Sequence, residues 1–305
     1  MSAAARRVLV SGASGFIGRR CLPLLQARGF EVHAVSRSQS TAQDVTWHRC
    51  DMLDAAACEG LLEQVRPSHL LHLAWIAQPG VFWTSPANAD WLAASVRLVR
   101  KFYALSGERV VGCGSCAEYG RSDTPCQEDA TPIAPATLYG QSKAALHAAL
   151  RGAAGARGGW AWARLFFPYG PGEAPGRFIP SVIEGLLRRQ PIACTHGRQV
   201  RDFIHADEVA QALATLVDSR ASGAYNVGTG NGHSLREVAH AIIAELGHGE
   251  LVRFGEREAP AHDYPYVVAD AGKMQSELGW SAGISLTEGI RRTVAALNAT
   301  MNGVQ

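Results

Sequence analysis

Tyr139-Gly140-Gln141-Ser142-Lys143 sets a phenol and an amine four residues apart. On a helix, side chains at i and i+4 share one face, about 5–6 Å apart at Cβ. An ammonium beside a phenol favours the phenolate, so the spacing predicts a Tyr139 pKa lowered from about 10 toward working pH. Such a group gives or takes a proton at an alcohol or carbonyl oxygen. Ser115, upstream at the end of an apolar run, offers a hydroxyl to the same oxygen. Tyr-x-x-x-Lys is common on surface helices, so the pair gains weight only from the elements that must position it.

The first of those elements lies near the start. Arg7-Val8-Leu9-Val10-Ser11 is β-rich and runs into Gly12-Ala13-Ser14-Gly15-Phe16-Ile17-Gly18. A helical pattern follows through Cys21, Leu22, Leu24 and Leu25 and ends at Gly29. Strand, glycine turn and helix in this order make a phosphate site. The turn lets backbone approach a pyrophosphate, and the helix N-terminus supplies free N–H groups and a positive dipole end. A tight turn that serves packing alone is the plainer reading.

The second strand, from Glu31, ends in Ser36-Arg37, where an acidic residue would hold the adenosine ribose hydroxyls. A guanidinium suits a 2′-phosphate, which predicts NADP(H), with NAD as the alternative; a solvated loop arginine is the other reading of Arg37. Asp51 and Met52 follow a third short strand, 45–50, and are expected to flank the adenine. His69-Leu70-Leu71-His72-Leu73-Ala74 reads as a fully buried parallel strand with His72 as a satisfied core histidine. The aromatic loop after it, Trp75 to Trp83, leaves the carboxyl end of that strand, where open α/β sheets bind ligands. It lines a substrate pocket or forms a satellite core.

A helix over 88–105, a strand over 108–113 that delivers Ser115, and the Tyr139 helix to about 152 complete the pattern. The fold class expected is α/β, a Rossmann-type doubly wound parallel sheet. Pro168-Tyr169-Gly170-Pro171-Gly172 marks a change of texture. Residues 1–167 are therefore read as the dinucleotide-binding domain and 168–305 mainly as a smaller substrate lobe, with 201–219 returning to the first as a strand and helix.

Composition narrows the function classes. The chain has 305 residues, 47% hydrophobic and 18% charged, with a formal net charge of +2. That balance is globular and offers no charge-driven partner among nucleic acids or membranes. The first seven residues do not read as a leader, and no apolar run reaches spanning length. Seven cysteines without paired metal-ligand spacing predict no metal site and a reduced, cytoplasmic setting. Cys113-Gly114-Ser115-Cys116 matches a redox pattern but reads better as small residues at a strand end.

Taken in order, these residues resemble the extended short-chain dehydrogenase/reductases of the nucleotide-sugar epimerase/dehydratase type. The likeness rests on the glycine turn, His72-Leu73-Ala74, Gly114-Ser115 with Glu118-Tyr119-Gly120, Tyr139 and Lys143, and Arg164. Tyr169-Gly170-Pro171-Gly172, Val200 to His205, Tyr225-Asn226-Val227-Gly228 and Leu278-Gly279-Trp280 extend it over nearly the whole chain. The resemblance implies Ser115, Tyr139 and Lys143 as the catalytic set, with Lys143 also on the nicotinamide ribose. It implies Gly12, Ser14, Gly15, Phe16, Ile17, Gly18, Leu73 and Ala74 around the cofactor. It places Arg201 and Asp263 at the diphosphate and ribose of a nucleotide-sugar substrate, though an ion pair of Arg201 with Asp202 would also explain that arginine. A homodimer through the helices at 88–105 and 139–152 follows from the same likeness.

The departures speak to reaction type. Where the dehydratases carry an Asp-Glu pair, this chain has Cys116-Ala117; where an Asn precedes Tyr-Gly-Pro, it has Phe167. With Trp75, Trp83, Cys116 and Phe167 lining the sugar site, the expectation is an NADPH-dependent 4-ketoreductase of a nucleotide-activated 4-keto-6-deoxyhexose. A 4-epimerase is the alternative.

Overall fold

The computed structural model describes residues 6–38, 45–156, 158–260 and 263–302. Residues 1–5, part of the stretch read as no leader, lie outside them. The strands of the large sheet are β1 (Arg7–Ser11), β2 (Glu31–Ser36), β3 (Thr46–Arg49), β4 (His69–His72), β5 (Arg109–Ser115) and β6 (Gly159–Leu165), joined much later by β11 (Gly223–Val227). All seven run parallel in the order β11-β6-β5-β4-β1-β2-β3. From β1 the chain builds outward to β3, then returns to β4 and builds the other way. The order therefore reverses between β1 and β4, and open α/β sheets bind ligands at the crevice such a reversal leaves.

Strand alternation assigns the two faces. Val8 and Val10 point to helix α1 (Gly18–Ala27) and, further along the chain, α6 (Ala206–Asp218). Leu9 points to the layer of α2 (Ala55–Val65), α3 (Ala87–Ala104) and α4 (Leu138–Ala154). Both faces are covered, so the strands read as near-continuous apolar runs.

The smaller layer uses short pieces. Strand β7 (Phe167–Tyr169) pairs with β10 (Phe203–His205), β8 (Ile192–Cys194) with β13 (Val252–Phe254), and β9 (Val200–Arg201) with β12 (His233–Ser234) and β14 (Tyr266–Val267). Helices α5 (Phe178–Leu187), α7 (Leu235–Leu246) and α9 (Leu286–Asn302) enclose their core, and α8 (Gly272–Leu278) lies against β11.

One boundary needs correction. Helix α6 packs on the large sheet, but the strand expected within 201–219 does not join it; β10 pairs only with β7. The strand that joins is β11, which the division at 168 assigned to the other lobe. The physical reason is burial: four of the five residues of β11 are buried, continuing the sheet beside β6, whereas β10 is three residues long. Among the described residues no helix is long and apolar enough to cross a membrane.

Candidate active site

Strand β5 ends at Ser115, and a single helical turn, Cys116–Glu118, reverses the chain there. The Ala117 N–H donates to Ser115 Oγ (3.2 Å) while the Ser115 N–H donates to Glu118 Oε1 (2.8 Å), a capping box that fixes the serine. Glu118 is fully buried and also accepts from Trp162 Nε1 (2.9 Å) and Arg164 Nε (2.9 Å). Arg164 donates to the Tyr119 hydroxyl (3.0 Å), which donates to Asn226 Oδ1 (2.7 Å). The serine thus rests on a buried ion pair whose polar atoms are largely satisfied.

Helix α4 starts at Thr137, whose Oγ1 accepts from the Gly140 N–H (3.2 Å). A Cβ on Gly140 would lie 2.2 Å from the Ala117 carbonyl, so only glycine lets the helix approach the serine turn this closely. That contact brings Tyr139 beside Ser115. Phe82 and Trp83 of the aromatic loop meet the Tyr139 ring edge-on, at 4.8 and 5.7 Å between centroids, and the Tyr139 N–H donates to the Trp83 carbonyl (3.1 Å). The loop serves as both wall and clamp.

The expected lowering of the Tyr139 pKa does not occur. Burial raises it above the ordinary phenol value, the neighbouring Cys113 adds to the rise, and the Ser115 hydroxyl works against it. Lys143 cannot reverse this, because its Nζ donates to the Cys113 carbonyl (2.8 Å) and sits 3.9 Å over the Trp75 ring. It is 5.8 Å from the Tyr139 ring centre. Burial lowers Lys143 itself to about 8. His72 is the satisfied core histidine expected: its ring nitrogens meet Ser11 Oγ (2.7 Å) and Ser95 Oγ (2.8 Å), and burial holds it neutral, down to about 3. The Cys113 and Cys116 thiols are both raised by burial, the opposite of a reactive pair.

Ser115, Tyr139 and Lys143 open on one cavity of about 420 Å³. Phe16, Leu73, Trp75, Trp83, Cys116, Phe167, Arg201 and Asp263 line it too. A second hollow of about 200 Å³ continues past Trp83, Cys116, Phe167, Arg201 and Asp263 to Tyr264. Arg201 pairs with Asp263 and not with Asp202, which accepts instead from Thr229, Gly230 and Ala269 N–H groups.

The remaining expected cofactor residues sit away from that cavity, toward the ends of β1 and β2. Gly12 has φ +69°, and a Cβ there would lie 2.9 Å from the Ala74 backbone nitrogen. No side chain caps the first turn of α1, around Ile17 and Gly18, so this end, with Gly15 in the turn, fits a diphosphate held by backbone. Ser14 Oγ and Ser36 Oγ are 3.1 Å apart beside exposed Arg37. Asp51 is exposed and accepts from the Leu53 N–H (3.0 Å). Met52 differs: its side chain is packed in the core against the α2 and α3 layer.

Several residues escaped sequence reasoning. Gln199 Nε2 donates to Asp263 Oδ2 (2.9 Å) and so orients it; nothing in the sequence marks it. Arg177, 5.0 Å over Phe82, and Glu173 both line the large cavity. Their position just past the Pro-Gly turn after β7 was the available signal. Among the described residues no group of three or more His, Cys, Asp or Glu is placed to hold a metal.

A doubly wound sheet with a backbone-lined dinucleotide turn, and a Ser-Tyr-Lys cluster at the crevice, defines a nicotinamide-dependent enzyme of the extended short-chain dehydrogenase/reductase kind. The chain belongs to the NAD dependent epimerase/dehydratase family, whose model matches residues 8–228. It is similar to the UDP-glucose 4-epimerase of Bacillus subtilis (28% identical; 92% of this chain and 94% of the relative covered). It also resembles the CDP-abequose synthase of Salmonella typhimurium (26%; 95% and 98%). Among solved structures, the Thermus thermophilus UDP-glucose 4-epimerase complex with NAD superposes with a TM-score of 0.87 at 28% identity, covering 96% of this chain and 99% of that one. The family's enzymes are NAD-dependent and act on nucleotide sugars.

Proposed function

We propose that this enzyme is an NADPH-dependent 4-ketoreductase of a nucleotide-activated 4-keto-6-deoxyhexose. The observation that carries the reading is the wall beside Ser115, which is Cys116 and Ala117. Expelling water from C6 needs a proton donor there. Cys116, pushed up to about 12, is too weak an acid, and Glu118 already accepts from Ser115, Trp162 and Arg164. A site that cannot dehydrate but keeps a phenol at the crevice suits reduction of a ketone already formed.

Reduced nicotinamide, when bound, supplies the hydride that C4 receives. Tyr139, kept protonated by burial, gives its proton to O4 as the carbonyl becomes an alkoxide. Ser115 donates a hydrogen bond to that oxygen and spreads its charge. Lys143, charged below about pH 8, stabilises the phenolate left behind. The C=O double bond thereby becomes a C–O single bond, with one new C–H bond from the hydride and one new O–H bond from Tyr139. Arg201 and Asp263 would hold the nucleotide diphosphate and ribose, and the rings of Trp75, Trp83 and Phe167 suit a methyl at C6.

Arg37, with the paired hydroxyls of Ser14 and Ser36, supports NADP(H) over NAD. A homodimer would use α3 and α4, which leave Trp91, Leu92, Ala145 and Ala148 at least partly exposed. A reduced, cytoplasmic setting accords with seven free cysteines. The test is a panel of nucleotide 4-keto-6-deoxy sugars with NADPH or NADH. One cofactor oxidised per product is the expected outcome, and no oxidation with any of them would sink the reading. A 4-epimerase is the second reading, favoured by the epimerases among the relatives. It predicts NAD retained through purification and interconversion without net oxidation.

A further inference from the structure

Arg201 and Asp263 line both hollows and pair with each other. The pair is made through one nitrogen and one oxygen: Arg201 Nη2 donates to Asp263 Oδ1, while Nη1 donates to the Val200 carbonyl (2.8 Å). An arginine beside a free carboxylate often closes a two-pronged contact instead, which occupies both arms of the guanidinium fork. Here Asp263 Oδ2 is held elsewhere, by Nε2 of Gln199 (2.9 Å). Gln199 lies between β8 and β9 and is 2% exposed. Its amide is fixed in turn. A carboxylate only accepts, so it is Nε2 that meets Asp263, and Oε1 is left to Thr195, whose hydroxyl donates to it (3.2 Å). The same hydroxyl oxygen accepts from the Gly197 N–H (3.4 Å) and from Nε2 (3.1 Å). The backbone here is pinned as well: the Gln199 carbonyl accepts from the Leu235 N–H (3.0 Å), and the Val200 N–H donates to the Pro265 carbonyl (2.8 Å).

We propose that Gln199 is a positioning residue for the nucleotide diphosphate: by holding Asp263 Oδ2 it limits Asp263 to one arm of Arg201 and leaves the other donors for phosphate oxygens. The inference rests on the proposed reading of Arg201 and Asp263 as the residues that hold the diphosphate and ribose. A guanidinium carries five N–H donors, and a phosphate group takes two of them side by side. Without Gln199, Asp263 turns and grips Arg201 with both oxygens. The ligand must then break a charge-assisted contact before it can bind. Gln199 itself lines neither hollow. It acts on the shape of the Arg201–Asp263 pair, so its loss is felt by the nucleotide diphosphate and not by the dinucleotide.

Isothermal calorimetry with UDP, dTDP, CDP and GDP, and with NADPH, tests this without turnover. Gln199→Met keeps the side-chain volume. It should bind the diphosphate that wild type holds tightest about tenfold more weakly, with NADPH within about twofold of wild type. The sharper comparison is a double-mutant cycle. Asp263→Asn cannot make a charged two-pronged contact, so adding Gln199→Met to it should cost less than about twofold. An undiminished cost there would show that Gln199 does not act through Asp263 and would overturn the inference. A Gln199→Met that binds the diphosphate like wild type, or that loses NADPH equally, would overturn it too. Should thermal melts show Gln199→Met unfolded, Thr195→Val carries the test. Losing the donor to Oε1 should weaken the diphosphate about threefold and spare NADPH, and no weakening overturns the inference. Failure of wild type to bind any of the four diphosphates, with NADPH still bound, would instead overturn the reading of Arg201 and Asp263 on which it rests.

Discussion

The two ends of the crevice are built on opposite principles. At the catalytic end Ser115 is tied by its own backbone to Glu118, which is fully buried against Arg164, itself 2% exposed. At the other end, by the glycine turn, Ser36 and Ser14 share a hydroxyl contact beside Arg37, which is exposed. The reacting group is fixed by parts that cannot change singly without a large penalty. In the proposed function, cofactor choice would rest on side chains that can be exchanged cheaply.

Glu118→Ala breaks that contrast hardest. It leaves Arg164 as an unpaired buried cation, so stability should drop by about 3–5 kcal/mol, read by denaturant melts. A change near zero would mean the network is not what holds Ser115. Tyr139→Phe should leave at most about a hundredth of the rate, with NADPH affinity unchanged by calorimetry. Near-full activity in that variant would remove the proton donor from the account.

Lys143 sharpens the comparison through pH. Its folded pKa is about 8 against 10.5 unperturbed, so its charge disappears as pH rises through about 8. The rate should fall roughly tenfold per unit above that point, and Lys143→Arg should lose the break. Stability moves the other way. The unfolded chain holds its proton to about 10.5, so stability should rise between about pH 8 and 10.5. The smallest effect belongs to the exposed end: Arg37→Ala should weaken NADPH about fivefold, in the range of one exposed charge pair, and leave NADH unchanged. An equal loss for both cofactors would place Arg37 outside the 2′-phosphate site.

Sequence periodicity and motif order were enough to reach the parallel sheet, the glycine turn and the Tyr139–Lys143 spacing, because each depends on near neighbours in the chain. The charge state of that pair was not legible. It depends on burial and on where the ammonium turns, and Lys143 turns to the Cys113 carbonyl and the Trp75 face. Strand β11 was misplaced because a short apolar run far along the chain does not say which sheet it completes. The side chain of Met52, a residue expected to flank the adenine, packs in the core, a burial that the run after β3 does not announce. Gln199 acts through Asp263, distant in sequence, so only the folded chain exposes its role.

The most direct measurement of the central claim follows one deuterium. With NADPH labelled at the transferable position and a nucleotide 4-keto-6-deoxyhexose, the account requires one deuterium at C4 per product, taken up by the Tyr139→Phe variant at no more than about a hundredth of the rate. C4 epimers interconverting without label uptake would contradict it.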